Sequence, residues 1–210
     1  MAASADKQVL YDMIRFKEIY DYPVFVETGT SNGVSTLHFA EHFEKVYTCD
    51  NSLEHQRSRE LNFEPYPKIK FMLGDSKDCL PTFFNEVGND KFFLFLDAHG
   101  SSWPILDELQ IVADFGYKPF IFIHDFDCKH EGWRFDCWGV NPNIDKNTLD
   151  PKEWWLSYEF QLGYDYVKPK MDLIYGEGNY GYWLSETSLN PLDAQGFENF
   201  RGFGFFYPNL

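Results

Sequence analysis

The sequence predicts an α/β fold: a mostly parallel sheet with helices on both faces. Three observations lead there. Short apolar runs recur along the first 125 residues, as buried parallel strands do. Between them lie stretches with apolar residues at helical spacing. Each run also ends in polar residues, and in parallel sheets ligands bind at those ends.

The elements follow in order. Ser4 can cap a first helix, with Val9, Met13, Phe16 and Tyr20 at four-three-four spacing. Pro23 stops it. A strand, Val24 to Val26, leads through a glycine-rich turn to a helix carrying Leu37, Ala40 and Phe43. His38 and His42 fall on that helix's opposite, solvated face. A second strand (Val46 to Cys49) precedes a polar helix (Glu54 to Leu61). A third (Ile69 to Leu73) precedes a helix over Leu80 to Val87. A fourth (Phe92 to Leu96) precedes one carrying Ile105, Leu109 and Val112. A fifth (Phe120 to Ile123) ends in His124-Asp125. The stretch from Phe126 to Asp150 is long for a connection and reads as a loop insertion at the site. A helix is expected from Pro151 to Leu162. Tyr164 to Ser185 offers strand-like segments around a G-E-G-N turn, hence a closing antiparallel hairpin. The tail, 189–210, shows no period. With 210 residues and no linker, one domain is expected, with an N-terminal helix over residues 1–22.

Composition narrows the function. Hydrophobic residues make up 44% of the chain, which excludes a disordered class. The net charge is −15, from 18 Lys and Arg against 33 Asp and Glu, with no basic cluster. Such a field repels phosphate backbones, so no nucleic-acid partner is expected. No apolar run is long enough to span a membrane, and the N-terminus lacks the features of a secretory signal. A cytoplasmic chain with reduced cysteines at 49, 79, 128 and 137 is the expectation. His124, Cys128, His130 and Cys137 match no common zinc spacing. The sequence is compatible with a homodimer. Trp133, Trp138, Trp154 and Trp155 read as a second core layer, with pocket lining as the alternative.

The five strand ends read Glu27-Thr28-Gly29-Thr30-Ser31-Asn32-Gly33, Asp50-Asn51, Gly74-Asp75-Ser76, Asp97-Ala98-His99-Gly100 and His124-Asp125. Four of the five carry an Asp, more acid than a purely structural sheet needs. Gly29 and Gly33 allow a tight turn and close backbone approach. The spacing is G-x-x-x-G, not the G-x-G-x-x-G of dinucleotide sites, and no G-K-[ST] is present. Glu27 would repel a pyrophosphate but suits the ammonium of an amino-acid-like ligand. Asp50 is placed for ribose hydroxyls. An adenosyl group joined to an amino acid meets these requirements.

The series V-F-V-E-T-G-T-S-N-G-V-S-T-L, V-Y-T-C-D, G-D-S, F-L-D-A-H and H-D resembles the class I S-adenosylmethionine-dependent methyltransferases over about residues 20 to 127. It is most similar to small-molecule O-methyltransferases of the macrocin- and cephalosporin-tailoring kind. The resemblance implies a Rossmann-like, doubly wound sheet of seven strands. It implies that Glu27 and Gly29, Thr30, Ser31, Asn32 and Gly33 hold the methionine part. Asp50 and Asn51 would hold the ribose, Asp75 and Ser76 would border the adenine, and Asp97 would face the sulfonium. His99, His124 and Asp125 join Asp97 as catalytic candidates. In metal-dependent relatives the fourth- and fifth-strand acids bind Mg²⁺; Asp97 and Asp125 match, but His124 replaces an oxygen ligand, and imidazole suits Mn²⁺ better. The expected partner is a small-molecule methyl acceptor, reacting at oxygen. The rival expectation is a non-catalytic domain that keeps the fold.

Overall fold

The computed structural model describes residues 7–98, 103–129, 135–149, 155–184 and 202–209. Helix α1 (Lys7–Tyr20) leads into β1 (Val24–Thr28), α2 (Val34–Ala40), β2 (Lys45–Asp50), α3 (Gln56–Phe63), β3 (Ile69–Leu73), α4 (Ser76–Val87), β4 (Phe92–Leu96), α5 (Ile105–Asp114) and β5 (Phe120–His124). These are the alternating strands and helices that the sequence predicts. Ser4, the expected cap of α1, lies outside the described residues.

One sheet has seven strands in the order β3-β2-β1-β4-β5-β9-β8, where β8 is Tyr180–Leu184 and β9 is Phe203–Pro208. Strands β1 to β5 are parallel, and β9 runs antiparallel to both β5 and β8. The order reverses direction between β1 and β4, which places a crevice at their C-terminal ends.

Strand alternation sorts the core into two chemically different faces. One, beneath α4, α5 and the later helix α6 (Tyr164–Tyr175), is mostly aliphatic: Val24, Val26, Leu94, Leu96, Ile121 and Ile123 meet Leu80, Leu109 and Met171. The other, beneath α1 and α2, is built from phenylalanine. Phe25, Phe93, Phe95, Phe120, Phe122, Phe203 and Phe205 project there, and Phe39 and Phe43 cover them. Rings stack across strands, as Phe122 does on Phe205 at 4.2 Å and Phe93 on Phe120 at 5.1 Å. Each such pair adds about 0.5–1.5 kcal/mol beyond burial. His38 and His42 are exposed, as their helix face suggests.

The second half corrects the sequence reading. The expected helix over Pro151 to Leu162 is absent among its described residues: Trp155 to Ser157 make a single 3-10 turn, and Phe160–Gln161 form a short strand, β7. That strand pairs antiparallel with β6 (Cys137–Trp138) inside the long insertion. The helix comes later, as α6, in a segment that reads as strand-like. Its tyrosines and Pro169 mislead: Pro169 lies inside the helix, yet the apolar face of Val167, Met171 and Ile174 packs against the sheet. The G-E-G-N turn therefore joins α6 to β8, and the hairpin partner of β8 is the tail strand β9. Glycines hide that strand. A Cβ at Gly204 would sit 2.9 Å from the Phe126 ring, and one at Gly202 only 2.1 Å from the Phe126 carbonyl oxygen. Both positions need glycine because Phe126 packs on them.

Trp138 lies half-buried, stacked on Trp103 at 4.7 Å and edge-on to Tyr166 at 5.0 Å. It thus joins the packing layer. Trp133 and Trp154 lie outside the described residues. All four cysteines are free thiols. Among the described residues no helix is long and apolar enough to cross a membrane.

Candidate functional site

The C-terminal ends of β1 and β2 form a cradle. Glu27 and Thr48 are register partners on the parallel pair, so both project to the face beneath α2. Glu27 is buried there, 1% exposed. Its Oε2 accepts hydrogen bonds from Thr36 Oγ1 at 2.5 Å and Thr48 Oγ1 at 2.7 Å, and the Thr30 and Thr48 hydroxyls meet at 2.6 Å. Burial pushes the Glu27 carboxyl up to about 7, against the pull of both threonine hydroxyls; the Asp97 and Asp50 charges add to the rise. Both threonines serve Oε2. Among the described residues no hydrogen bond to Oε1 accompanies them.

Gly29 and Gly33 are structurally required. Gly29 has φ 85° and a Cβ there would lie 2.2 Å from the Asp97 carbonyl oxygen. The turn thus runs against the tip of β4, and the Asp97 amide donates to Thr28 O at 3.0 Å. Gly33 has φ 83° and abuts the Phe63 ring. Ser31 also has positive φ, at 49°. Asn32 Oδ1 accepts from the Val34 amide at 3.2 Å, at the start of α2.

Asp50 is engaged by the chain itself. Its Oδ2 accepts from the Ser31 amide at 2.6 Å and its Oδ1 from the Ser52 amide at 2.7 Å. Arg59 Nη1 stands 3.8 Å from Oδ1. Each carboxylate oxygen has a second lone pair, so these bonds orient the group without exhausting it. Asn51 is exposed beside it. Asp75 caps α4 by accepting from the Lys77 amide at 3.0 Å. Ser76 Oγ and Thr28 Oγ1, at the neighbouring strand ends, are buried without a hydrogen-bond partner.

At the ends of β4 and β5, Asp97, His124 and Asp125 come together. His124 Nδ1 lies 2.6 Å from Asp97 Oδ1 and 3.4 Å from Asp125 Oδ2. All three residues are buried. Asp125 sits at φ 53°, where the chain leaves the strand; its carbonyl accepts from the Asp136 amide at 2.8 Å, which anchors the β6–β7 ribbon over the strand tip. A small cleft beside His124 is lined by Ala98, Trp103, Glu108, Asp136 and Leu162. His99 and His130 lie outside the described residues. Asp97 and Asp125 do converge, as the metal reading requires, but on an imidazole nitrogen. Among the described residues no group of three or more His, Cys, Asp or Glu side chains is arranged to hold a metal ion.

Sequence reasoning missed Thr36, Thr48 and Arg59. Thr48 had a signal: strand alternation puts it on the face of Glu27. Arg59 had none, because it stands among other polar residues in a polar helix.

No protein-family model matches the sequence, and no curated protein is similar to it at the sequence level. Solved structures are similar in fold. One is the O-methyltransferase TomG from Streptomyces achromogenes, involved in tomaymycin synthesis and solved in complex with S-adenosylmethionine (SAM). It has a TM-score of 0.59 and 12% identity over 98% of this chain and 82% of that one. An O-methyltransferase from Bacillus cereus, in complex with SAH, has a TM-score of 0.53 and 17% identity over 97% of this chain and 82% of that one. An rRNA methylase from Streptococcus thermophilus has a TM-score of 0.53 and 14% identity over 100% of this chain and 99% of that one. The chain therefore has the class I methyltransferase fold, a Rossmann-like arrangement with C-terminal antiparallel strands.

Proposed function

We propose that the protein binds S-adenosylmethionine and transfers its methyl group to the oxygen of a small-molecule acceptor. The observation that carries the reading is the meeting of two groups at the C-terminal ends of the central strands. The Glu27–Gly29 turn lies against the backbone of Asp97, and the Asp97 carboxylate lies against His124.

The residues fit the cofactor. Glu27 suits an ammonium, and its carboxyl, raised to about 7 by burial, becomes a full anion in the presence of one. Gly29 lets the backbone come close where any side chain would collide. Asp50 has lone pairs left for a pair of hydroxyls. When bound, the cofactor supplies an electrophilic methyl group on a sulfonium. The chain supplies orientation and a base. The His124 Nδ1–H donates to Asp97, and in this reading Nε2 takes the acceptor's hydroxyl proton. Asp97 then stabilises the imidazolium that forms. The strongly acidic surface, −15 in net charge, favours a small molecule over a nucleic acid as acceptor. The base is the histidine, so no metal is required for this step.

Calorimetry with S-adenosylmethionine, S-adenosylhomocysteine and NAD tests the cofactor. Both adenosyl ligands are expected to bind and NAD to fail; the reverse would overturn the assignment. Methyl transfer to a panel of hydroxylated small molecules then separates an enzyme from a binding domain that keeps only the fold.

A further inference from the structure

We propose that Arg59 is a positioning residue that sets the Asp50 carboxylate for the cofactor's ribose, acting through the main chain of Ser31 and Ser52. The inference rests on the cofactor reading above and deepens it. Arg59 lies in α3 and is wholly buried, at 0% exposure. It is the one buried residue of that helix. A helix that needed only packing there would bury an apolar side chain, since a buried charge is costly unless its partners are good.

The partners explain the choice. Arg59 Nη1 donates to Ser31 O at 2.6 Å, and Nη2 donates to Ser52 O at 2.5 Å. The amides of these same two residues donate to the two oxygens of Asp50, at 2.6 and 2.7 Å. A ring results. The guanidinium holds the carbonyl side of each turn, the carboxylate holds the amide side, and the two charges face each other at 3.8 Å. Only a planar fork can grip two carbonyls at fixed spacing; an ammonium cannot. Phe71 lies under the guanidinium at 4.7 Å and fixes its plane. Phe63, one turn further along α3, closes on Gly33 at the far end of the same turn. So α3 braces the cradle at two points. Arg59 Nε is left buried without an acceptor.

The ring fixes where the carboxylate's remaining lone pairs point before any ligand arrives. That is preorganisation for two neighbouring hydroxyls. Without Arg59 the carbonyls of Ser31 and Ser52 lose their common donor, and the carboxylate between the two amides loses its orientation.

Calorimetry with S-adenosylhomocysteine and its 2′,3′-dideoxy analogue tests this on the parent protein, Arg59→Met, Asp50→Asn and the double variant. The parent is expected to prefer the parent ligand at least tenfold. In Arg59→Met that preference collapses: S-adenosylhomocysteine binds about tenfold more weakly while the dideoxy analogue is unchanged. The double variant is no weaker than Asp50→Asn. A merely structural role would weaken both ligands equally, and multiplying losses would mean that the two residues act separately; either result overturns the proposal. If Arg59→Met does not fold by circular dichroism, Arg59→Lys carries the same comparison, with a smaller loss confined to the ribose-bearing ligand. A parent protein that binds no S-adenosylhomocysteine overturns the cofactor reading as well. One that binds with the full preference, retained in both Arg59 variants, overturns this inference alone.

Discussion

The two halves of the site differ in how they handle charge. In the cradle between β1 and β2, each carboxylate has more than one donor of its own. Thr36 and Thr48 serve Glu27, and the Ser31 and Ser52 amides with Arg59 serve Asp50. At the rim formed by β4 and β5, two carboxylates crowd one imidazole nitrogen, at 2.6 and 3.4 Å. One imidazole nitrogen thus faces both carboxylates at the rim, whereas in the cradle each carboxylate has donors of its own. The first arrangement suits holding a ligand still. The second suits taking up a proton and stabilising the cation that results.

The largest expected effect breaks the rim and spares the cradle. His124→Ala should lower kcat by about 10²- to 10⁴-fold, the usual contribution of a general base. The affinity for S-adenosylhomocysteine should stay within about twofold, because the hydrogen bonds that hold Glu27 and Asp50 do not run through the imidazole. Single-turnover rates and calorimetry on one preparation check both numbers. A parallel loss of affinity would show that the two halves are one.

Gly29→Ala strikes where the halves touch. Its Cβ would lie 2.2 Å from Asp97 O, on a backbone with φ 85°. Neither the positive φ nor the collision with main chain relaxes cheaply, so a loss of about 3 kcal/mol or more is expected in urea unfolding. Gly116→Ala, in the turn that ends α5, is the control: its φ is 72°, yet a Cβ there meets nothing within 4 Å. Only the strain of the positive φ remains, about 1–2 kcal/mol. Equal losses at the two glycines would mean that the close approach to β4 is unimportant.

Glu27→Gln separates binding from stability. The Glu27 carboxyl is raised from 4.5 to about 7 by burial first, so the folded protein binds the proton more tightly than the unfolded chain. Stability from this group is therefore present at low pH and is lost as pH rises from about 4.5 through 7. Glutamine removes that loss. The ligand-free variant should be more stable than the parent at pH 8, by on the order of 2 kcal/mol, and its stability should vary less between pH 5 and 8. Its affinity for S-adenosylmethionine should fall about tenfold or more, with the ammonium's counter-charge gone. Thermal melts across that pH range, with and without ligand, read both signs. A variant destabilised at pH 8 would place Glu27 among the structural acids.

The sequence carried the parallel half of the fold because its central strands are built on short apolar runs that end in polar residues. Val24–Val26, Phe92–Leu96 and Phe120–Ile123 need no tertiary knowledge. The antiparallel half depends on contacts distant in sequence. Gly202 and Gly204 make β9 look like a loop until Phe126 is placed on them, and Pro169 makes α6 look broken until its apolar face finds the sheet. The same division runs through the site. The approach of Gly29 to its neighbour was legible because a glycine in a strand-to-helix turn has few other uses. The pairing of His124 with Asp97 required knowing that β4 and β5 are neighbours. The burial of Arg59 was illegible, because nothing in Q-R-S-R-E-L-N-F distinguishes the second arginine from the first.

The smallest effects sharpen the account of the cradle itself. The grip on Asp50 comes from the amides of Ser31 and Ser52, and the grip of Arg59 from their carbonyls. Their side chains take no part in that ring. Ser52 Oγ does accept from the Glu54 amide at 3.1 Å, but in an exposed loop. Ser31→Ala and Ser52→Ala should therefore cost about 0.5 kcal/mol or less in stability, the size usual for exposed substitutions. Each should leave the affinity for S-adenosylhomocysteine within about twofold of the parent. Ser31→Pro, by contrast, removes the amide and cannot adopt φ 49°. It should abolish binding. A loss of tenfold or more in Ser31→Ala would mean that the hydroxyl itself touches the ligand. The turn would then recognise its ligand through a side chain as well as through the main chain that Arg59 and Asp50 hold in place.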